Sequence, residues 1–186
     1  RFRGLQKYSR YRHSVGTSLI IWRFTGSMAQ TLAGLFHDIA TPVFAHTVDF
    51  LYGDYMAQEH TEGRTGELIC GSEGITRLLD KYGIDTDAVT DYHIYPIADN
   101  DSPRLSADRL EYTLGNLAAY TGRTAAELQA YYDDLCAAIN EHGETELSFT
   151  DADTAYRFAH DALEMSRIYV SDEDRYAMQM LSELLG

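Results

Sequence analysis

Apolar residues with helical spacing dominate the chain. Segments rich in Leu, Ala and Tyr follow this spacing, whereas the alternation of Val and Ile that is typical of strands is almost absent. Residues that commonly begin a helix precede four segments, at Ser102, Thr124, Thr150 and Ser171. The capping-box pattern at Thr124 predicts a helix to about His142, and the helix that begins at Ser102 is expected to continue to Gly122. The pattern therefore predicts an all-α fold.

One segment, residues 24–53, is unusually poor in charge. Its only charged side chains are Asp38 and Asp49, although a charged content of 24% would place about seven charges in 30 residues. Apolar residues at helical spacing, with small residues between them, predict a helix in its first half that is buried nearly all round. A membrane span is not expected, because histidines, aspartates and a proline interrupt the run. A carboxylate in such a core needs a cation or a metal ion as partner.

Composition narrows the class of protein further. The chain has 186 residues, of which 45% are hydrophobic, so it can bury one core and is not expected to be disordered. With 29 acidic against 15 basic residues, its formal charge is −14. This charge argues against binding to nucleic acid or to an anionic membrane, because both require a basic surface. No repeat or linker divides the sequence, so residues 1–186 are expected to form one domain.

The two cysteines, Cys70 and Cys136, lie far apart, which excludes a zinc knuckle or a redox pair. We expect both to be reduced and buried, as in a cytoplasmic protein. The longest aliphatic or aromatic run near the start is too short for a membrane span. Because the chain begins Arg1-Phe2-Arg3 without Met, we expect the true N-terminus to lie further upstream.

His37 and Asp38 are neighbours in the charge-poor segment, and neighbouring residues of a helix point about 100° apart. The pair could therefore hold one ion from two sides. An HD dipeptide alone is weak support, because a single histidine on a helix is more often a hydrogen-bonded core residue. Further ligands would have to come from other helices, and two residues could supply them, His13 and Asp108.

Three segments together resemble the HD-domain phosphohydrolases, in the branch that contains deoxynucleoside triphosphate triphosphohydrolases. Residues 9–16 resemble the SRxxHS(L/V)G stretch of that branch. Residues 37–46 are similar to its HDxxxxPFxH segment, with one position shifted, and residues 108–112 resemble its D(K/R)x(D/E)Y motif. Within the superfamily, the chain looks most like small bacterial HD-domain proteins that carry SRYRHS, HDIATPVFAH and YPIADNDSP.

The resemblance implies an all-α HD-domain helical bundle with a buried metal site. Residues 118–186 would supply the C-terminal helices that complete the bundle. The resemblance also implies one divalent metal ion, and its ligands would be His13, His37, Asp38 and Asp108.

By the same resemblance, Arg10 and Arg109 contact phosphate oxygens, and Tyr112 lies against a sugar. His46 and Asp49 would flank the scissile phosphate. Their spacing of three residues allows them to face each other across one helical turn, which suits a proton shuttle.

One position departs from the pattern of the triphosphohydrolases. They usually carry a histidine where this chain has Thr41, and a hydroxyl cannot exchange a proton near neutral pH as an imidazole does. Three explanations stay open: His60 or His46 takes over the proton transfer, the substrate is not a triphosphate, or the protein binds its ligand without turnover. His60 lies in an acidic, polar stretch that is also typical of a solvated surface.

The resemblance implies a metal-dependent phosphohydrolase that acts on a nucleotide or a related phosphate ester or anhydride, by attack of activated water on phosphorus. Two imidazoles and two carboxylates suit Mn, Fe, Co, Ni or Zn, and Mg is also compatible. The alternative hypothesis is a nucleotide-binding sensor that keeps the metal but has lost turnover. A third hypothesis is a two-metal enzyme in which His46, His60 or His93 holds a second ion. HD hydrolases often self-associate, so the resemblance is compatible with a homo-oligomer.

Overall fold

The computed structural model describes residues 8–51 and 64–185. In these ranges the chain forms ten helices and one antiparallel two-stranded sheet. The all-α prediction is confirmed, since 64% of the described residues are helical and their sheet is a single hairpin. In chain order the elements are α1 (Arg10–Thr25), α2 (Met28–Phe36), α3 (Ala45–Leu51), α4 (Thr65–Cys70), α5 (Glu73–Tyr82), α6 (Asp87–Thr90), α7 (Ala107–Tyr120), α8 (Ala125–Asp133), β1 (Leu135–Ile139), β2 (Thr145–Phe149), α9 (Ala152–Tyr169) and α10 (Asp172–Leu185).

Helix α1 packs against both α2 and α7, and this arrangement positions the candidate site. Serines begin the first two helices: the hydroxyl of Ser9 accepts a hydrogen bond from a backbone amide of α1, and Ser27 does the same for α2. Between them, Gly26 ends α1 in the left-handed conformation with φ 61°. On α2, Gly34 faces Ile21 so closely that a Cβ atom would lie 2.2 Å from the Ile21 Cδ1 atom. The glycine therefore allows α1 and α2 to approach each other.

Helix α7 begins at Ala107, four residues later than the expected first helical residue, Pro103. The Ser106 hydroxyl caps it by accepting a hydrogen bond from the Arg109 amide at 3.2 Å. Ser102 and Pro103 instead lie in the preceding turn and are joined by a cis peptide bond. Directly before the cap, Leu105 forms an isolated β-bridge with Leu147 of β2. Residues 91–106, which we call the loop before α7, are thus attached to the hairpin.

Two clusters of buried apolar residues form the core. The smaller one lies among α4, α5 and α6, and side chains of α2 pack against it. The larger one joins α1, α2, α7, α8, α9, the hairpin and the loop before α7, and it comprises Ile20, Ile21, Ala33, Tyr92, Ile97, Ala98, Ala107, Leu110, Tyr131, Leu135, Leu147 and Phe158.

The helix predicted over residues 124–142 is correct only in its first half. The capping box of Thr124 and Glu127 is present, but α8 ends at Asp133 and a β-hairpin follows. Gly143, expected to end the helix, adopts a positive φ of 80° in the hairpin turn. The strand β1 pairs with β2 along its whole length, from Leu135 with Phe149 to Ile139 with Thr145, and Leu135 is buried in the larger core. A short apolar run alone does not distinguish such a strand from a helix.

Other helix predictions also need correction. The charge-poor helix is not buried nearly all round, because Met28 and Ile39 are 50% and 40% exposed. It also ends at Phe36, where a hydrogen bond from the Ile39 amide to the Phe36 carbonyl at 2.9 Å closes a turn. Helix α9 is capped by Asp151 rather than Thr150, whereas the start predicted at Ser171 is confirmed.

The cysteine prediction is only partly correct. Cys70 and Cys136 are both free thiols, but Cys70 is exposed and Cys136 is only half-buried. None of the helices in the two described ranges is long and apolar enough to cross a membrane.

We expect Gly34→Ala to destabilise the protein by about 1–3 kcal/mol, because the added methyl group meets Ile21, a fully buried side chain in a packed core. Gly74→Ala is the matched control. In α5, the nearest atom to a Cβ at position 74 is the Ser72 hydroxyl at 3.9 Å, so this change should stabilise the helix by up to about 1 kcal/mol. Urea unfolding measures both effects. An unchanged midpoint for Gly34→Ala would contradict the close helix contact.

Candidate metal centre

Two histidine rings face each other where α1 meets the end of α2. The Nε2 atoms of His13 and His37 lie 3.2 Å apart, and the ring planes make an angle of 77°. Two nitrogens that bind one ion at about 2.1 Å lie roughly 3.0–3.4 Å apart when the angle between their bonds is octahedral or tetrahedral. The observed separation therefore fits two ligands of one shared ion.

Two carboxylates approach the same pair of nitrogens. Oδ1 of Asp108 lies 2.9 Å from Nε2 of His13 and 3.5 Å from Nε2 of His37. Oδ2 of Asp38 lies 3.9 Å and 3.7 Å from the same two atoms. One ligand atom each from His13, His37 and Asp38 lies within 4.8 Å of the others, a spacing at which a metal ion could be held. We call the side chains of His13, His37, Asp38 and Asp108 the His–Asp cluster.

Three separate helices position the cluster. His13 lies in the first turns of α1, Asp108 is the second residue of α7, and His37 and Asp38 follow the end of α2. The start of α7 is fixed from the loop before it, because the amides of Ala107 and Asp108 donate to carbonyls of that loop at 2.8 and 3.3 Å. Residues distant in sequence therefore meet because α1 packs against both of the other helices.

Hydrogen bonds orient the HD pair. Nδ1 of His37 lies 2.6 Å from the Gly34 carbonyl, so this nitrogen donates to the carbonyl and Nε2 is left to face the cluster. Oδ1 of Asp38 accepts a hydrogen bond from the Thr41 hydroxyl at 2.8 Å and lies 3.5 Å from the Arg10 guanidinium. The other oxygen, Oδ2, is the one that faces the histidines.

Charge pairing shifts the pKa values of the cluster. Burial lowers the pKa of His13, but hydrogen bonds to Asp108 and Glu111 outweigh it and raise that pKa to about 10. The pKa of His37 is also raised, since Asp108 outweighs the effect of burial. Burial raises the pKa of Asp108, and hydrogen bonds from both histidines reverse this and lower it well below its usual range. The Asp108 carboxylate is thus paired with positive charge on the two histidines. A bound metal ion would displace the protons that carry this charge and supply positive charge in their place.

The residues expected to bind substrate lie in different surroundings. Arg10 stands at the edge of the cluster with 39% of its side chain exposed, and its guanidinium donates to the Pro42 carbonyl at 3.1 Å. Arg109 points into the loop before α7, where it donates to the Arg104 carbonyl at 2.9 Å, bonds to Asn100, and pairs with Asp99 at 3.3 Å.

Tyr112 is half-buried in α7, four residues after Asp108. Burial, followed by the charge of Asp108, raises the pKa of its hydroxyl to about 12.

The residues expected to transfer protons lie in α3 and in the stretch of sequence that follows it. His46 and Asp49 lie in α3, which begins soon after the turn that carries Asp38, but the structure describes only their backbone. His60 lies outside the described residues. His93, the other residue considered for a second ion, lies 2.9 Å from Asp91 and not in the His–Asp cluster.

Several residues around the cluster make contacts that no pattern in the sequence indicates. Glu111 lies 2.5 Å from Nδ1 of His13, and the Tyr8 hydroxyl donates a hydrogen bond to the same carboxylate. Tyr92 packs its ring against His37 at 5.0 Å between centroids. Glu111 belongs to the D(K/R)x(D/E)Y motif, and Tyr92 belongs to the loop before α7. The motifs point to these two segments of the chain, but they do not predict which side chains Glu111 and Tyr92 contact.

Comparison with known proteins gives two relatives, whereas no family model matches the chain. The chain is 32% identical over 128 residues to the uncharacterized protein YdhJ of Bacillus subtilis, and the match covers 68% of this chain and 39% of that protein. It is 26% identical over 175 residues to the metal-dependent phosphohydrolase cns2 of Cordyceps militaris, and the match covers 90% of this chain and 46% of that protein. The chain thus spans less than half the length of either relative.

Addition of Mn²⁺, Co²⁺, Ni²⁺ or Zn²⁺ to chelator-treated protein is expected to raise the unfolding temperature. An ion that binds only the folded state stabilises it, by about 2.7 kcal/mol at roughly 100 times the Kd. His37→Ala and Asp108→Asn should lose most of this increase, because each removes one ligand of the His–Asp cluster. His142→Ala is the matched control, since that ring is 68% exposed in the hairpin turn. If none of these ions changes the unfolding temperature of the parent protein, that result would contradict a metal centre here.

Proposed function

We propose that this chain carries the catalytic site of a metal-dependent phosphohydrolase. The substrate is a nucleotide or a related phosphate ester or anhydride, which is hydrolysed by attack of activated water on phosphorus. The observation that supports this most directly is the approach of two imidazole nitrogens and two carboxylates from three helices to one place. The name of the fungal relative supports the same class of reaction.

His13, His37, Asp38 and Asp108 would hold one divalent ion. When bound, such an ion supplies Lewis-acid activation of a phosphoryl oxygen and of water. Mixed imidazole and carboxylate ligands suit Mn, Fe, Co, Ni or Zn, and Mg is also compatible.

Arg10 is the residue we assign to the substrate phosphate. Its guanidinium lies beside Asp38 yet keeps 39% of the side chain exposed, so it can reach a ligand that enters from solvent. A guanidinium binds two phosphate oxygens at once, and this local positive charge offsets the repulsion from a chain with a net charge of −14. Arg109 and Tyr112, on α7 after Asp108, would complete the substrate site. For Arg109 this role requires donors beyond those that hold the loop before α7.

Proton transfer is assigned to helix α3. It carries His46 and Asp49 at a spacing of one helical turn, so the carboxylate could orient the imidazole. Helix α10 packs against α3 and so restrains the helix that would bear the proton shuttle. His60 is kept as an alternative donor.

A second candidate function is a nucleotide-binding sensor without turnover. It is favoured by Thr41, whose hydroxyl donates to Oδ1 of Asp38 at 2.8 Å. At this position the chain has a group that holds a carboxylate in place and cannot exchange protons near neutral pH. The sensor would keep the metal and the phosphate contact but release no product.

We expect metal-loaded protein to release product from at least one member of a panel of nucleoside mono-, di- and triphosphates and bis(4-nitrophenyl) phosphate. Asp38→Asn should lower kcat/KM at least about 100-fold, because it removes a charged ligand of the His–Asp cluster. Asp101→Asn is the matched control, since that side chain is 94% exposed in the loop before α7. Bound metal without turnover of any substrate would overturn the hydrolase proposal, and a nucleotide-dependent rise in unfolding temperature would then favour the sensor.

Arg10→Ala is expected to lower kcat/KM by about 100-fold, because it removes a charged contact to the transferred phosphoryl group. Arg10→Lys should recover only part of this loss, since an ammonium lacks the planar, two-point geometry. Steady-state kinetics at saturating metal measures the effect, and Arg77→Ala, an exposed arginine of α5, serves as control. Equal loss in Arg10→Ala and Arg77→Ala would show a general effect of charge instead.

A further inference from the structure

Both ring nitrogens of His13 are engaged, on opposite sides of the ring. Nε2 faces the cluster, 2.9 Å from Asp108 and 3.2 Å from Nε2 of His37. Nδ1 lies 2.5 Å from the carboxylate of Glu111. A histidine can present either nitrogen to an ion, and the hydrogen bond made by the other nitrogen decides which one is presented. The Glu111 carboxylate accepts from Nδ1–H, so Nδ1 keeps its proton, and Nε2 is the nitrogen whose proton an ion in the cluster would displace.

We propose that Glu111 is a positioning residue of the metal centre: it fixes the tautomer and the orientation of the His13 ring, and Gly16 provides the space in which it does so. The inference rests on the proposed function, because it requires that the His–Asp cluster holds an ion. It goes beyond that function because it assigns part of the affinity for the ion to Glu111 and Gly16, which do not touch the ion.

The space for Glu111 exists because position 16 has no side chain. A Cβ atom on Gly16 would lie 2.5 Å from Oε1, 2.7 Å from Cγ and 2.9 Å from Cδ of Glu111, distances that real Cβ contacts do not reach. Gly16 is three residues after His13 on α1, and Glu111 is three residues after Asp108 on α7. Residues at this spacing share a helix face. The two packed helices therefore each contribute one cluster residue and one residue of its support.

Tyr8 fixes Glu111 from the other side. Its hydroxyl donates to Oε2 of Glu111 and lies 3.3 Å from Nδ1 of His13. The ring lies against α7, where a Cβ on Gly115 would approach it to 3.3 Å. The Tyr8 hydroxyl has one proton to donate, and the Glu111 carboxylate takes it. Glu111 thus has defined partners on both sides, and it is only 15% exposed.

The second histidine of the cluster does not depend on this arrangement. Nδ1 of His37 lies 2.6 Å from the Gly34 carbonyl, within the same segment of chain. Loss of Glu111 should therefore disturb one ligand of the ion and leave the other in place. A partial loss of metal affinity, rather than complete loss, is the result that this geometry requires.

The test measures Co²⁺ binding by calorimetry and by the visible absorption spectrum of the bound ion, with no substrate present. Glu111→Ala should weaken Co²⁺ binding by about 10- to 100-fold and change the spectrum, since the His13 ring is no longer fixed. Glu111→Gln retains an acceptor oxygen of the same reach and should restore most of the affinity. Glu67→Ala, an exposed glutamate of α4 with 71% of its side chain accessible, is the matched control.

Gly16 is tested through a double-mutant cycle. Gly16→Ala should weaken Co²⁺ binding by displacing Glu111, whereas Gly16→Ala combined with Glu111→Ala should bind no more weakly than Glu111→Ala alone, because the displaced group is gone. Gly74→Ala is the control for adding a methyl group to a helix. Circular dichroism checks that each variant is folded.

The outcomes separate this inference from the proposed function. A parent protein that binds no Co²⁺ overturns the metal centre itself. A parent that binds Co²⁺, with unchanged affinity and spectrum in folded Glu111→Ala, overturns only the role of Glu111. Additive losses in the double variant would show that Gly16 acts through helix packing instead. If Glu111→Ala fails to fold, Gly16→Ala decides: unchanged Co²⁺ affinity and spectrum in this folded variant would overturn the role of Glu111.

Discussion

The structure depends on the approach of two imidazole rings, His13 and His37, to within 3.2 Å at their Nε2 atoms. Ionisable groups at low exposure are costly unless opposite charge accompanies them, and here Asp38 and Asp108 supply it from two further directions. Three helices must therefore keep fixed positions relative to one another, and the packing of α1 against α2 and α7 meets this requirement. The apolar core holds these helices in the positions that bring the four side chains of the His–Asp cluster together.

Close helix contact is obtained with small residues. Gly34 lets α2 approach Ile21 of α1, and Gly16 lets α7 place Glu111 behind His13. Both glycines lie within helices, where their conformational freedom has an entropic cost relative to alanine. The cost is offset by the close approach it permits, since a methyl group at either position would meet the side chain of Glu111 or Ile21.

The sequence was sufficient to predict the mainly helical fold from its apolar spacing. The charge-poor segment singled out His37 and Asp38, and the resemblance to the HD-domain phosphohydrolases added His13 and Asp108, which lie beside them in the structure. The sequence was insufficient where local preference is weak. The residues of β1 are apolar and small enough for a helix, and only pairing with β2 and burial of Leu135 decide for a strand. The contact of Glu111 with His13 depends on how α7 faces α1, and no local pattern contains that relation.

The β-bridge between Leu105 and Leu147 connects the unforeseen hairpin with the centre of the molecule. It anchors the chain one residue before Ser106, the residue that caps α7. Sliding this anchor by a single residue would rotate every α7 side chain by about 100° around the helix axis. Asp108 would then turn away from both imidazoles, so a hairpin outside the His–Asp cluster helps to set the direction in which this carboxylate points.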